Sequence, residues 1–342
     1  MGKYYSEDVV KDTSYRADYI DSINAFLLTE KEMAKPIRQA FITPEKYAKN
    51  PEFYREKLVQ MLGFPLTERR GKLQLLENTF VARDKNVDIY RMQFLMPFGV
   101  KFYGMYFKQI KNTKDTPFIF GFHGGDGTPE LVSSIHYDSS NYNHLVRRMT
   151  DRGATVFVPQ FLLWKTDNYG NDYRRDHIDG KLRQLGGSVT ALELYFLQCL
   201  LDYFEENEPV NMDKFGVAGL SYGGMYTLHF TAIDTRVKAA YACSWVCDGF
   251  AWSQGDWSYL NAQKTFTVAE TVAMIAPRPF VAAMGDKDAM FSHLLTTAEM
   301  QNAKPYYEIF GKAENLKCVV FDGVHEVDNG EEELDFLFNH LL

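Results

Sequence analysis

The chain has 342 residues, 46% of them hydrophobic, which is enough for one large domain or for one domain with an appendage. Its formal net charge of −8 at pH 7 argues against a general nucleic-acid-binding protein, because such proteins contact phosphates through clusters of Lys and Arg. The arginine pairs Arg69-Arg70, Arg147-Arg148 and Arg174-Arg175 are isolated, so we predict that they lie on the solvated surface.

The four cysteines form neither a disulfide framework nor a zinc-binding pattern, so we expect no metal and no cofactor. A low cysteine content suits a reducing compartment. No run of about 18 apolar residues is present, and the first eight residues lack the apolar core of a signal peptide. We therefore predict a cytoplasmic protein with no membrane partner.

The N-terminal segment predicts helices. Residues 18–35 and 44–62 carry apolar side chains at helical spacing, and Gly63-Phe64-Pro65 ends the second helix. No motif in this segment carries chemistry. We therefore predict a helical extension, residues 1–68, that packs on a catalytic domain of residues 69–342 and covers part of a pocket.

The rest of the chain predicts a sheet and the helices that cover it. Strands are predicted at residues 73–76, 88–94, 102–107, 118–122, 155–158, 215–218, 237–242, 280–284 and 318–321. Short turns join the first three, which indicates an antiparallel start to the sheet. The later strands alternate with helices, including long ones over residues 189–204 and 331–342. This pattern predicts an α/β fold whose mostly parallel sheet carries helices on both faces.

A G-x-S-x-G pentapeptide, Gly219–Gly223, lies between the strand at 215–218 and a predicted helix over 224–233. A serine at such a tight turn, here Ser221, has its hydroxyl exposed at the edge of the sheet. A serine hydroxyl is a weak nucleophile. It needs a base, an acid that orients the base, and hydrogen-bond donors for the oxyanion.

Residues after the later strands supply candidates for the base and the acid. His325 follows the last strand, so its ring is expected at the same edge of the sheet as Ser221. Asp288, after the strand at 280–284, is the predicted acid. Asp286 is two residues away, and Asp248 follows the preceding strand, so both remain alternative acids.

Backbone N–H groups are the expected oxyanion donors. One belongs to Tyr222, directly after the serine, and the other to Gly124 or Gly125 in the glycine-rich loop after the strand at 118–122. A phosphate-binding role for this loop is disfavoured because no Gly-Lys-Ser/Thr follows. Tryptophans in segments that follow strands are candidates for a substrate pocket, with core packing as the alternative: Trp245, Trp252 and Trp257.

Several motifs in this order carry a family resemblance. They are His123-Gly124-Gly125, Arg183-Gln184-Leu185-Gly186-Gly187, Gly219–Gly224, Ile275-Ala276-Pro277-Arg278-Pro279 and Val324-His325-Glu326. Over residues 70–342 the chain resembles the α/β-hydrolase superfamily, and within it the branch of dienelactone hydrolases and acetyl xylan esterases. Many relatives have Gly where this chain has Val324.

The resemblance implies the α/β-hydrolase fold and a serine hydrolase that cleaves carboxylic esters through an acyl-enzyme. It implies a triad of Ser221, His325 and Asp288, with a short acyl group on a carbohydrate or a small metabolite as the substrate. A serine peptidase of the prolyl-oligopeptidase type shares the order of motifs, although propeller-like repeats are missing. A catalytically inactive binding module with this fold is the other alternative.

Overall fold

The computed structural model describes residues 9–135, 141–164, 173–253 and 255–342. These residues form nine strands: β1 Gln74–Asp84, β2 Val87–Leu95, β3 Lys101–Gln109, β4 Phe118–Phe122, β5 Thr155–Pro159, β6 Phe215–Leu220, β7 Ala239–Cys243, β8 Phe280–Gly285 and β9 Leu316–Phe321. They also form eleven α-helices: α1 Val9–Phe41, α2 Pro44–Lys49, α3 Pro51–Leu62, α4 Pro129–Val132, α5 Leu145–Asp151, α6 Arg175–Gln184, α7 Val189–Asn207, α8 Tyr222–Ile233, α9 Val268–Ala273, α10 His293–Glu308 and α11 Glu332–Asn339.

All nine strands belong to one sheet, in the order β1-β2-β3-β5-β4-β6-β7-β8-β9. The strands from β1 to β3 pair antiparallel, as do β3 and β5, and every pair from β5 across to β9 is parallel. The predicted fold class, a mostly parallel sheet with an antiparallel start, is therefore confirmed. The carboxyl ends of β4, β6, β7, β8 and β9 meet at one edge.

Helices cover both faces of the sheet, as predicted. On one face, aromatic side chains of the strands pack against α7 and α8. The ring of Phe120 lies 6.0 Å from that of Phe204 on α7 and 6.1 Å from that of Phe230 on α8. On the other face, α5 and α11 contribute buried side chains such as Met149 and Leu337. The central strands are buried on both sides, which explains their continuous apolar sequences.

Three elements differ clearly from the sequence prediction. Helix α1, Val9–Phe41, extends beyond the predicted residues 18–35 at both ends. Strand β1 continues to Asp84 although the pattern predicted residues 73–76 alone, because this edge strand is largely exposed and pairs with β2 through its backbone. The helix predicted over residues 44–62 is two helices, which are separated at Asn50. Proline disfavours a helical conformation in the residue before it, and Asn50 precedes Pro51 and caps α3 by accepting a hydrogen bond from the Phe53 N–H.

The N-terminal helices are tied to the rest of the protein by long-range contacts. Lys31 pairs with Asp248 at 2.5 Å, and Arg38 pairs with Glu270 at 2.9 Å. The hydroxyl of Tyr47 donates to the carbonyl of Met274. These contacts agree with an extension that packs on the main body, while a domain boundary near residue 68 stays a prediction. Among the helices described, none combines the length and the apolar character needed to cross a bilayer.

Candidate active site

Ser221 lies at the turn between β6 and α8, with φ of 58° and ψ of −118°. Residues other than glycine rarely adopt this conformation, so the surrounding packing must impose it. A Cβ on Gly219 would lie 2.6 Å from the backbone of Gly223, and one on Gly223 would lie 2.3 Å from the carbonyl oxygen of Phe122. The two glycines of the pentapeptide are therefore required by contact between β4, β6 and α8.

His325 and Asp288 form a hydrogen-bonded pair. The Nδ1–H of His325 donates to Oδ2 of Asp288 over 2.8 Å, which leaves Nε2 of the imidazole to act as a base. The other carboxylate oxygen accepts the N–H groups of Met290 and Phe291, at 2.8 and 3.0 Å. Burial by itself would raise the pKa of Asp288. The hydrogen bond and charge of His325 and the two backbone bonds outweigh it, so the pKa lies below the usual value.

The two alternative acids are occupied by other partners. Asp286 accepts the N–H of Gly323 at 3.1 Å. Asp248 pairs with Lys31 on α1, and its second oxygen accepts the N–H of Phe250 at 2.9 Å. Asp288 is therefore the one of the three aspartates that binds His325.

One residue of β7 links the serine turn to the histidine loop. The N–H of Ser221 donates to the carbonyl of Cys243 over 2.8 Å, and the thiol of Cys243 donates to the carbonyl of Glu326 over 3.1 Å. The loop of Asp288 is joined to the same region, because the N–H of Lys287 donates to the carbonyl of Gly323. The three predicted side chains therefore occur on loops that are bonded to one another at one edge of the sheet.

The backbone N–H groups predicted to bind the oxyanion differ in whether they already have a hydrogen-bond acceptor in the protein. The N–H of Gly124 already donates to the hydroxyl of Tyr142 over 2.7 Å. Within the described ranges, the N–H groups of Gly125 and Tyr222 donate to no protein oxygen. The loop is close to the serine, since a Cβ on Gly124 would lie 3.5 Å from Cβ of Ser221.

His123 connects the glycine-rich loop to the segment that follows β5. Its Nδ1–H donates to the carbonyl of Gly124 at 2.7 Å, and Nε2 accepts the N–H of Phe161 at 2.9 Å. Burial lowers the pKa of His123 to about 4, so the ring is neutral, as its role as an acceptor requires. Both ring nitrogens of His123 are therefore used in hydrogen bonds that hold the loop in place, which does not favour a catalytic role.

Arg175 lies under the site, and sequence reasoning missed it. The prediction that Arg174-Arg175 lies on the solvated surface is wrong for Arg175, which is 1% exposed. Its guanidinium forms hydrogen bonds and ion pairs with five groups: the hydroxyls of Tyr222 and Tyr226, the carboxylates of Glu193 and Asp256, and the carbonyl of Leu162. A buried charge is tolerated only when it is paired in this way. No local pattern marks it, because its partners are distant in the sequence.

The predicted pocket tryptophans lie on two sides of the site. Trp252 lies 5.3 Å from Phe291, whose ring is 5.6 Å from that of His325. Trp257 lies 5.4 Å from the ring of Tyr222. Trp245 and Trp257 also line a cavity of about 700 Å³ to which α1 contributes one wall. That the N-terminal helix covers a substrate pocket, and that the tryptophans bind substrate, both stay predictions.

In the ranges that the structure describes, no group of three or more His, Cys, Asp or Glu side chains is arranged to hold a metal ion.

No protein-family model matches the chain. A protein named "Putative hydrolase YtaP", from Bacillus subtilis (strain 168), is 26% identical over 184 residues, 49% of this chain. The match spans 58% of that relative's length.

Solved structures match over most of the chain. A glucuronoyl esterase from Solibacter usitatus has a TM-score of 0.66 and 12% identity, covering 86% of this chain and 93% of its own. A "putative acetyl xylan esterase (BF1801)" from Bacteroides fragilis NCTC 9343 has a TM-score of 0.65 and 14% identity, covering 86% and 83%. At such identities the shared property is the fold. The strand order, the serine turn and these neighbours together show that the chain has the α/β-hydrolase fold.

Proposed function

We propose that the protein is a serine hydrolase that cleaves carboxylic esters, with Ser221 as nucleophile, His325 as base and Asp288 as the acid that orients the base. The observation that carries the proposal is the 2.8 Å bond between Asp288 and His325, on a loop that is linked through Cys243 to the strained turn of Ser221. A low pKa of Asp288 supports it, because a carboxylate that remains ionised stabilises the imidazolium formed during the reaction.

The mechanism follows from these groups. Nε2 of His325 takes the proton of the Ser221 hydroxyl as the oxygen attacks the ester carbonyl, and a tetrahedral oxyanion forms. His325 then gives the proton to the leaving alcohol. Water attacks the resulting acyl-enzyme with His325 again as the base. The bond between the acyl group and Ser221 then breaks, the serine oxygen takes back its proton from His325, and the carboxylic acid leaves.

The oxyanion is assigned to the N–H groups of Tyr222 and Gly125. Tyr222 is the first residue of α8, whose first N–H groups have no partner within the helix and point toward the site. Gly125 is preferred to Gly124 because the N–H of Gly124 is taken by the hydroxyl of Tyr142. Donors fixed before the reaction stabilise the charge without reorganising.

We propose a short acyl ester of a carbohydrate or a small metabolite as the substrate. The neighbouring structures support carbohydrate esters, since they include glucuronoyl esterases and a "putative acetyl xylan esterase". The aromatic pair of Trp252 and Phe291, next to His325, also offers a surface on which a sugar ring can stack. Acetylated xylose and methyl glucuronate place the sugar on opposite sides of the ester bond, so their relative rates identify which side of the site holds it.

The experiment measures hydrolysis of p-nitrophenyl acetate and labelling by a fluorophosphonate probe. Ser221→Ala is expected to lower kcat by about 10⁶-fold and to abolish labelling. Ser253→Ala is the matched control, because Ser253 is an exposed serine in a segment that also follows a strand. It should keep both activities. Full labelling of the Ser221→Ala protein would exclude Ser221 as the nucleophile.

A further inference from the structure

Helix α1 exposes an unusual number of apolar side chains. It has 33 residues, which corresponds to a length of about 50 Å. Eleven large apolar side chains on it are at least 38% exposed: Val9, Val10, Tyr15, Tyr19, Ile20, Ile23, Phe26, Leu27, Leu28, Met33 and Ile37. Large exposed apolar patches mark surfaces that bind a partner, so we asked whether some of these side chains share one face of the helix.

Five of these side chains form one line along the helix, here named the apolar stripe: Tyr15, Tyr19, Phe26, Met33 and Ile37. Their exposed fractions lie between 50% and 68%. At 3.6 residues per turn they fall within about 40° around the helix axis. Lys31 and Arg38, which pair with Asp248 and Glu270 on the body of the protein, lie roughly 120–140° from the stripe on the same basis. The stripe therefore faces away from the protein's own core.

The apolar stripe is symmetric about Phe26. Tyr19 and Met33 lie seven residues before and after it, and Tyr15 and Ile37 lie eleven residues before and after it. The seven-residue repeat is typical of the contact line between two helices of a coiled coil. Tyr19 and Phe26 precede the turn that Pro36 affects, whereas Met33 lies within that turn and Ile37 follows the proline.

We propose that α1 pairs antiparallel with α1 of a second copy of this chain, with the twofold axis at Phe26. In that arrangement Phe26 of one protomer contacts Phe26 of the other. Tyr19 contacts Met33 and Tyr15 contacts Ile37 across the interface, and the twofold axis makes each of these two contacts occur twice. A twofold interface must be self-complementary, and a stripe that is symmetric in spacing meets this condition. If α1 instead bound a helix of a different protein, the spacing of the stripe would not need to be symmetric about Phe26.

The area of the stripe is sufficient for a dimer. A whole aromatic side chain has about 200 Å² of surface, so each of the three rings of the stripe leaves roughly 120–140 Å² free. With the two aliphatic side chains, the stripe offers roughly 550 Å² on each protomer, or roughly 1,100 Å² in total. Specific interfaces need about 1,000 Å².

Sedimentation velocity of the full chain tests the proposal. The wild type is expected to be a dimer at micromolar concentration. Phe26→Glu is expected to be a monomer with an unchanged far-UV circular dichroism spectrum, because two carboxylates would meet at the axis. Ile20→Glu is the matched control. Ile20 is 58% exposed against 59% for Phe26, but it lies roughly 120° from the stripe. This variant should remain a dimer.

A charge exchange tests the register. Tyr19→Lys and Met33→Glu should each weaken the dimer. The double variant should restore it, because antiparallel pairing places each lysine opposite a glutamate. A parallel pair would place like charges together and would not be restored.

Three results would overturn the proposal. They are a monomeric wild type, a Phe26→Glu variant that remains a dimer, and a monomer that sediments with phosphatidylglycerol vesicles. The last result would assign the stripe to a membrane surface.

Discussion

The guanidinium of Arg175 lies over the ring of Tyr222, with the guanidinium carbon 4.1 Å from the ring centroid, and Nε donates to the tyrosine hydroxyl over 2.5 Å. The Tyr222 hydroxyl also donates to Asp256, which in turn pairs with Arg175 at 2.6 Å. Tyr222 has an assigned role through its backbone N–H alone. Its side chain is nonetheless held by Arg175 and Asp256, and we expect these contacts to help keep the start of α8, and with it the N–H, in place.

The same arginine is connected to the other assigned donor. Glu193 pairs with Arg175 at 3.0 Å and accepts the N–H of Leu162 at 2.6 Å. Two residues later, the N–H of Trp164 donates to the carbonyl of Gly125 at 3.1 Å. Arg175 therefore supports both sides of the proposed oxyanion hole, and we regard it as a positioning residue.

Replacement of Arg175 by methionine is expected to destabilise the fold by about 3–5 kcal/mol, because it leaves the buried carboxylates of Glu193 and Asp256 without their cation. Urea denaturation measures this. The matched control is Lys181→Met, which removes an exposed cation from the same helix, α6, and should cost less than about 1 kcal/mol. Equal losses in the two variants would contradict the buried ion-pair network.

Arg175→Lys separates positioning from stability. Lysine keeps the charge but loses the planar fork that reaches five partners. We expect kcat for p-nitrophenyl acetate to fall by about 10²-fold while KM changes little, since the displaced N–H groups act on the oxyanion rather than on the bound ester. A change confined to KM would mean that Arg175 affects binding of the ester instead.

Substitution of Gly125 tests the second donor. A Cβ at this position would lie 2.8 Å from the ring of Trp164, so Gly125→Ala must displace the loop or the indole. Loss of one oxyanion donor lowers kcat by about 10²–10³-fold, and this is the expected result. Gly180→Ala is the control, because a Cβ there meets no atom within 4 Å. It should leave kcat within about twofold, and a similar fall in both variants would contradict the assignment.

The choice of acid is tested by two amide substitutions. Asp288→Asn removes the acceptor of the His325 Nδ1–H and is expected to lower kcat by about 10⁴-fold. Asp286→Asn alters a residue only two positions away that binds the backbone of Gly323. It should reduce kcat by less than about tenfold. A larger loss for Asp286→Asn than for Asp288→Asn would exchange their roles.

The fold was predictable where burial leaves a clear mark on the sequence. The central strands β4 and β6 are buried along their whole length, and their apolar runs predicted them closely. Edge strand β1 was predicted too short because its exposed residues carry no apolar pattern. The α/β-hydrolase fold followed from the order of motifs, whereas the boundary near residue 68, placed where the helical pattern gives way to strands, stays a prediction.

The edge of the sheet that carries the candidate site was predictable, because its residues follow strands. The contacts of individual side chains at that edge were harder to predict. The sequence brings Ser221, Asp288 and His325 to one edge, and their catalytic roles stay a prediction. It could not separate Asp288 from Asp286, because side-chain direction within one short loop decides which carboxylate reaches the imidazole. Arg175 was beyond reach, since Asp256 is 81 residues away and Glu193 is 18 residues away.

A buried histidine away from the site predicts a pH effect on stability. His229 on α8 is 3% exposed, and its Nδ1–H donates to the carbonyl of Met225 at 2.9 Å. Its ring lies between Trp245 and Tyr259, at 5.8 and 5.7 Å. Burial lowers the pKa of His229 to about 4, although the bond to Met225 opposes this. An unfolded histidine has a pKa of about 6.5.

Between those two pKa values the unfolded chain binds a proton at His229 that the folded chain does not. The contribution of His229 to stability is therefore full above pH of about 6.5 and declines by about 3 kcal/mol as the pH falls to about 4. Burial raises the pKa of Glu299 and of Glu333 to about 7, which acts in the opposite direction over the same range. The pH dependence of the wild type alone thus contains opposing contributions.

A comparison of the wild type with His229→Gln isolates the histidine, because both proteins contain the two glutamates. Urea denaturation at a series of pH values between 7.5 and 4.5 gives the difference in unfolding free energy. We expect the advantage of the wild type to be largest near pH 7 and to shrink steadily below pH of about 6.5. His340→Gln is the control for loss of a histidine outside the buried site, because His340 is exposed on the turn after α11. A difference for His229→Gln that stays constant with pH would mean that folding does not change the pKa of His229 and would contradict this prediction.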